Sequence, residues 1–284
     1  MSAKIASEKV REFQFTESMF EQIRELVKHH TGIVLSDGKQ DMVYGRLTRR
    51  LRALDLSEFD SYLTLIKRED EQELTHLVNA ITTNLTSFFR EEHHFEYLKN
   101  TVFPGLLEKN AATQKIRIWS AGCSTGEEPY SIAMVVREFF EDYDGWDVKV
   151  VATDLDSNVI DKGKAGVYDI GRVDGLSLEY KKRWMKRGKG DQSNLVKMKS
   201  ELQNLITFKQ LNLLHGWPIK GPIDIIFCRN VVIYFDKETQ RNLFDRYADV
   251  LSSDGHIFIG HSENMFNVCD RFESLGNTIY QRIN

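Results

Sequence analysis

The sequence predicts a doubly wound α/β fold, preceded by an all-α domain and carrying a small inserted antiparallel β-subdomain. Three observations predict it. From Ile116 onward, short apolar runs of strand length alternate with helical periods, the pattern of a sheet covered on both faces. The stretch Ile116–Ala133, IRIWSAGCSTGEEPYSIA, reads as a buried strand, a turn of small residues and a helix opened by Glu127, Glu128 and Pro129. Before residue 82 only helical spacing appears.

The helical part spans 1–82. Its first 14 residues are polar and are expected to be loosely held. Thr16 is placed to cap a first helix carrying Phe20, Ile23 and Val27, which Gly32 stops. A second helix over 36–54 aligns Val43, Leu47, Leu51 and Leu54. A third, capped by Ser57, carries Phe59, Tyr62, Leu63 and Ile66, and a fourth uses Leu74, Leu77, Val78 and Ile81. On the second helix Lys39, Arg46, Arg49 and Arg50 fall opposite the apolar stripe, with Arg52 at its margin and Asp41 as the one acid in that window. An unpaired basic face suits docking to an acidic helix or to a phosphate backbone.

A polar junction follows, TTNLTSFFREE (82–92), with Phe88 and Phe89 packing inward and Arg90 beside them. A helix interrupted near Pro104 leads to the strand at 116, and the domain so begun runs over 83–284. After the helix at 127–140 comes a strand, Val148–Leu155, ending in Asp154 and Asp156. An acid at that place binds ribose hydroxyls in dinucleotide folds, or it caps the next helix. Residues 166–204 break the alternation and read as an inserted helix and hairpin, with a strand at 195–199 and a loop at 187–194. A small sheet with a free edge could take up an extended peptide. Strands at 206–213, 223–228 and 256–260, a helix at 237–251 and a closing hairpin near 272–274 and 277–282 complete the domain. Ligands in such sheets bind beyond the strands' carboxyl ends. That rule gathers Gly122, Glu128, Asp154, Asn212, Arg229 and Asn230 around one crevice.

Composition narrows the chemistry. A net charge of −4 gives no global pull toward nucleic acid or anionic lipid, and three widely spaced cysteines suggest neither disulfides nor zinc. No apolar run approaches a membrane span, and nothing resembles a signal peptide, so a reducing cytoplasm is expected. GxGxxG is absent and no GK[ST] follows the small-residue turn, which excludes a P-loop and weakens a nicotinamide reading. Acids at the helix start can complement the helix dipole, the default for Glu127. An acidic loop with Asp154 one strand away also matches S-adenosylmethionine, which carries an ammonium, a sulfonium and a ribose. His93 and His94 are expected to point apart on their helix, in surface or packing roles. His261 lacks the partners of a nucleophile triad, and Cys123 suits the turn by its size.

TTNLTSFFRE (82–91), WSAGCSTGEEPYSIA (119–133), ATDLD (152–156), IFCRNVVIYF (226–235) and GHSEN (260–264) together resemble the chemotaxis receptor methyltransferase (CheR) family, from about residue 16 to the end. The resemblance implies a Rossmann-like S-adenosylmethionine-dependent methyltransferase sheet and methylation of glutamate side chains on the cytoplasmic helices of bacterial chemoreceptors. It implies S-adenosylhomocysteine as product and no metal. Asn84, Thr86, Arg90, Glu128, Asp154, Asn212, Leu213, Arg229 and Asn230 match positions that hold the cofactor, and Arg90 and Tyr234 match residues implicated in the chemistry. It further implies that the helical domain docks to receptors, that the inserted subdomain holds a receptor C-terminal peptide in some members, and that the protein is recruited to receptor arrays from the cytoplasm. A monomer is the default expectation. Two alternatives stand beside this reading. One is a nucleic-acid methyltransferase, which would explain the basic helix but would carry proline where Val231 and Val232 follow Asn230. The other is a non-catalytic module that binds S-adenosylmethionine as a signal.

Overall fold

Thr16 starts the first helix because its Oγ1 accepts the Met19 N–H at 3.2 Å, and Gly32 ends it in the left-handed conformation open to glycine. In the computed structural model, which describes residues 11–68 and 71–283, this helix is α1, Glu17–Thr31. The expectation for positions 1–10 lies outside the described residues. The chain divides into two units, Met1–Thr82 and Thr83–Asn284.

The first unit holds α1, α2 (Gln40–Ala53), α3 (Phe59–Lys67) and α4 (Glu71–Ile81). Their apolar stripes meet in one core built on Phe20, Ile23, Val43, Leu47, Leu51, Phe59, Tyr62 and Leu77. A 3₁₀ turn, Asp37–Lys39, precedes α2, and Glu58 rather than Ser57 stands before α3 without a side-chain cap. The unpaired basic face is corrected. Arg46 Nη1 donates to the carbonyls of Ala80, Ile81 and Thr82, closing the carboxyl end of α4. Arg50 grips the buried Glu73 with Nε at 2.8 Å and Nη2 at 2.6 Å, a fork on a carboxylate. Arg52 pairs with Glu12. Both acids lie outside the Lys39–Arg52 window, so local spacing could not show them. Lys39 and Arg49 stay exposed.

The second unit opens with one helical run, α5 (His93–Tyr97), a π turn at 98–102 and α6 (Phe103–Lys109). The π turn lies immediately before Pro104, which has no N–H to give to a preceding carbonyl; the Phe103 N–H reaches Leu98 instead. Then come β1 (Lys115–Ala121), α7 (Glu127–Phe139), β2 (Asp147–Asp154) and α8 (Ser157–Ala165). The insertion follows: β3 (Val167–Asp169), α9 (Leu178–Trp184), β4 (Met185–Arg187), β5 (Leu195–Met198) and α10 (Ser200–Gln203). The sheet resumes with β6 (Ile206–Gln210), β7 (Ile223–Cys228), α11 (Lys237–Val250), β8 (Leu251–Ile259), β9 (Phe272–Gly276) and β10 (Ile279–Arg282).

The large sheet has the order β6-β2-β1-β7-β8-β10-β9, parallel through β8 and antiparallel at β10 and β9. Alternate residues of β1 go to opposite faces: Ile116 and Ile118 to one core, Trp119 and Ala121 to the other. Burial on both faces explains why these strands read as continuous apolar runs. The chain order reverses between β1 and β7, so the crevice opens past Ala121 and Cys228. Two strands differ from expectation. β6 ends at Gln210, because the Leu211 N–H turns onto the Asp154 carbonyl at 2.9 Å. β8 begins at Leu251, directly after α11, and a register shift against β7 takes up the extra residues. The insertion forms its own antiparallel sheet, β3-β5-β4, as expected.

Candidate active site

The turn after β1 is built on the end of β2. The N–H groups of Gly122 and Cys123 both donate to the Thr153 carbonyl, and the Ser124 N–H donates to Asp154 Oδ2 at 2.8 Å. Gly122 sits at φ 91°, and a Cβ there would overlap Val231 Cγ2. The smallness expected for ligand approach is thus required first by packing against the loop after β7. Ser124 Oγ reaches the Asn84 carbonyl at 3.1 Å, and Asn84 Nδ2 donates to Asp156 Oδ2 at 2.8 Å. The segment before α5 is thereby tied to the ends of β1 and β2. Asp156 caps α8 through the Asn158 N–H, so the capping role weighed for Asp154 falls to Asp156.

Asp154 is the other acid at the end of β2. Burial pushes its carboxyl up to about 6, against the amide hydrogen bonds that favour its charge. Ser124 and Asp156 give N–H groups to different oxygens, and the Leu155 amide adds to them. The acceptor capacity that remains is open to a ligand hydroxyl. Asn212 and Leu213 stand beside it, carried by the turn that Leu211 anchors on Asp154, with Asn212 Oδ1 accepting the Leu214 N–H.

The acids of the turn are not open, as the sequence reading had them. Glu128 is buried, taking Ser120 Oγ at 2.7 Å on one oxygen and Arg229 Nε at 2.7 Å on the other. Glu127 does more than complement the helix dipole. It is fully buried, and it holds Thr125 Oγ1 at 2.5 Å and the guanidinium of Arg172 from the insertion. Arg172 Nη2 also donates to the Thr86 carbonyl at 2.9 Å. Sequence reasoning missed Arg172; no spacing signal marks it, because it meets Glu127 only through the folded insertion.

Arg229 is likewise turned inward. Its side chain is 3% exposed. Nη1 donates to the Arg90 carbonyl at 2.5 Å and lies 3.1 Å from His94 Nδ1, with the rings of Phe95 and Phe227 on its flanks. His94 is buried beneath it, its Nε2 at 2.9 Å from the Asn277 carbonyl. Burial, with Arg229 adding to it, lowers the His94 pKa to about 4, so the ring is neutral at pH 7: Nδ1 accepts from Arg229 and Nε2–H donates to Asn277. His93 does not point away, as expected from helix geometry; its Nε2 approaches the same Asn277 carbonyl at 3.3 Å.

Arg90 itself is differently placed. It lies between Phe89 at φ 52° and Glu91 at φ 56°, left-handed backbone that costs a bulky residue energy. Among the described residues its half-buried guanidinium makes one hydrogen bond, Nη1 to the Leu85 carbonyl at 3.1 Å. Glu91 follows it in the chain. Burial opposes its charge, yet the His261 ring and amide, then Arg229, hold its carboxyl below the usual range. Among the described residues its Oε2 is buried without a hydrogen-bond partner, 3.6 Å from Arg229 Nη1. Beyond β7, Asn230 is also left-handed at φ 60°, and a 3₁₀ turn, Val232–Tyr234, presents Tyr234 half-buried, its hydroxyl without a hydrogen bond among the described residues. Glu91 and His94 were missed as site residues, although Glu91 stands inside the TTNLTSFFRE motif.

The all-alpha domain of the CheR methyltransferases matches residues 18–82, and their SAM binding domain matches residues 84–281. Chemotaxis protein methyltransferase 2 of Pseudomonas aeruginosa is 44% identical over 272 residues, covering 95% of this chain and 95% of its own. The chemotaxis protein methyltransferase of Salmonella typhimurium is 42% identical over 270 residues, 93% of this chain and 90% of its own. That of Escherichia coli is 41% identical over 268 residues, 93% and 91%.

Proposed function

The chain belongs to the CheR family of S-adenosylmethionine-dependent chemotaxis methyltransferases, and from that premise we propose that it esterifies glutamate side chains on the cytoplasmic helices of chemoreceptors. The observation that carries this reading is Arg90: an arginine with, among the described residues, one carbonyl partner, held between the left-handed Phe89 and Glu91. A donor-rich cation so placed suits an incoming carboxylate.

S-adenosylmethionine, when bound, supplies a sulfonium methyl that one acceptor carboxylate oxygen takes up as an ester, the carbon–sulfur bond breaking with its electron pair left on sulfur. A glutamate has a pKa of about 4.3, so the acceptor is already charged at neutral pH and needs no base. The work left to the protein is to orient, neutralise and exclude water. Asp154 would take the ribose hydroxyls, with Gly122, Asn84, Thr86, Asn212, Leu213 and Asn230 lining the same crevice. Glu128 and Arg229 would hold its floor as an ion pair. Arg90 would guide the acceptor and Tyr234 would align it by a hydrogen bond.

Two partner contacts belong to the same reading. The exposed Lys39 and Arg49 would meet acidic receptor helices. The outer edge of β4, where Lys186 and Arg187 are exposed, would take a receptor C-terminal peptide as an added strand. Among the described residues no helix is long and apolar enough to cross a membrane, so arrival at receptor arrays would rest on such contacts. The test is transfer from labelled S-adenosylmethionine to chemoreceptor-bearing membranes, with free RNA and DNA alongside. Base-labile label on the receptor is expected of a carboxyl ester. Label on nucleic acid, or cofactor binding with no transfer, would overturn the proposal.

A further inference from the structure

Glu263 lies outside every role assigned above. It is a carboxylate 5% exposed, on the turn that follows β8. Backbone N–H groups from the end of β8 and from the loop after β7 converge on it. Oε2 accepts from Gly260 at 2.6 Å and from Asn230 at 2.9 Å, and Oε1 accepts from Ile233 at 3.2 Å. Its own N–H returns to the Gly260 carbonyl at 2.9 Å. The approach is close: a Cβ on Gly260 would fall 2.8 Å from the Asn230 nitrogen. Burial raises the carboxyl above its ordinary range, against the amides that hold it charged. A buried acid of this kind persists where its hydrogen bonds are complete.

What those bonds hold is the turn that carries Tyr234. Asn230 opens that turn in left-handed backbone, Ile233 lies within it, and the Tyr234 N–H closes back on the Val231 carbonyl at 3.2 Å. Among the described residues, the Tyr234 hydroxyl has no bond of its own to fix it. Its place therefore follows the backbone at 230–233, which Glu263 holds through the amides of Asn230 and Ile233. We propose that Glu263 is a positioning residue for methyl transfer, setting Tyr234 through the amides of the loop after β7. This rests on the reading of Tyr234 as the residue that aligns the acceptor.

The substitution Glu263→Gln keeps the shape but turns an N–H₂ toward amides that need an acceptor. Misplacement by 1 Å is enough to cost on the order of 100-fold in rate. The experiment is a double-mutant cycle on kcat with E263Q, Y234F and the pair, with circular dichroism and S-adenosylmethionine affinity on each. E263Q is expected to stay folded, to bind the methyl donor within about 3-fold of the parent and to lose on the order of 100-fold in kcat. On the Y234F background the same change is expected to cost under about 3-fold, the signature of two residues acting as one unit. A purely structural role would give the same loss in both backgrounds, and that result overturns the proposal. Parent-like kcat in E263Q with Y234F impaired overturns the proposal and leaves the Tyr234 reading standing. Parent-like kcat in Y234F removes the Tyr234 reading, and this inference with it. Should E263Q fail to fold, E263D, which keeps the acid and withdraws it by one methylene, is carried through the same cycle.

Discussion

The α2 face of the helical unit and the carboxyl-end crevice of the sheet unit both read, in sequence, as arginines turned toward a ligand. In each, part of the basic set closes the frame and the rest is left facing outward. Arg50 and Arg46 bind Glu73 and the end of α4, leaving Arg49 and Lys39 exposed. Arg229 binds Glu128 and the Arg90 carbonyl, leaving the Arg90 guanidinium, among the described residues, with one carbonyl. The difference lies in the backbone. Asp55 is the one left-handed non-glycine residue described in the helical unit, whereas Phe89, Glu91, Ser124 and Asn230 all adopt that conformation around the crevice. Strain of this kind survives only where packing over-determines it, and it collects where geometry must be exact in function. A docking face needs charge; a reaction site needs placed charge.

The largest effect should come from breaking the crevice frame. Arg229→Met removes the partner of the buried Glu128 and the donor to Arg90 together. A buried pair broken on one side costs ~3–5 kcal/mol, so urea unfolding should show a loss of that order with turnover abolished. Arg50→Met in the helical unit should cost less, because the Arg50 side chain is 24% exposed and water can reach the gap it leaves. Equal losses would mean that the two frames are energetically alike.

Next comes Arg90 itself. Arg90→Ala should lower kcat by roughly 10²–10³, the range for removing a single placed donor, while the unfolding midpoint scarcely moves. A large stability loss with modest kinetic effect would make Arg90 another frame arginine and erase the contrast with Arg229.

The third effect is a pH dependence. Asp154 titrates at about 6 before ligand arrives, and only its charged form offers acceptors to both ribose hydroxyls and attraction to a cationic donor. Lowering pH through about 6 protonates it, so affinity for S-adenosylmethionine should be full above that value and fall by up to about tenfold per unit below it. Asp154→Asn should bind weakly with a flat profile from pH 5 to 8. An unchanged slope in that variant would assign the titration elsewhere.

Much of this was legible in the sequence, and the limits are instructive. The alternation after Ile116, the acids closing β2 and the small-residue turn were local features, and the folded chain keeps them. Partnership was not legible. Glu73 with Arg50, Arg172 with Glu127 and His94 with Arg229 are 23, 45 and 135 residues apart, beyond any helical or strand period. Spacing shows that an arginine lies opposite an apolar stripe; it cannot show that a distant acid has already taken it. The same holds for Glu263, whose meaning depends on amides that converge only when β7 and β8 lie side by side.

The smallest effect tests the other half of the comparison. If Lys39 and Arg49 meet an acidic receptor helix as exposed charges, each contributes through the field rather than through a fixed bond. The double reversal Lys39→Glu with Arg49→Glu should raise KM for receptor a few-fold, on the order of 3–10, with kcat and S-adenosylmethionine affinity unchanged. Because exposed charges are screened over about 8 Å at 0.15 M ionic strength, the parent's advantage should shrink as salt is added. Methylation of receptor membranes across a salt series measures both. A fall in kcat, or a difference that persists in high salt, would mean that this face works as the crevice does, through placed contacts rather than through charge alone.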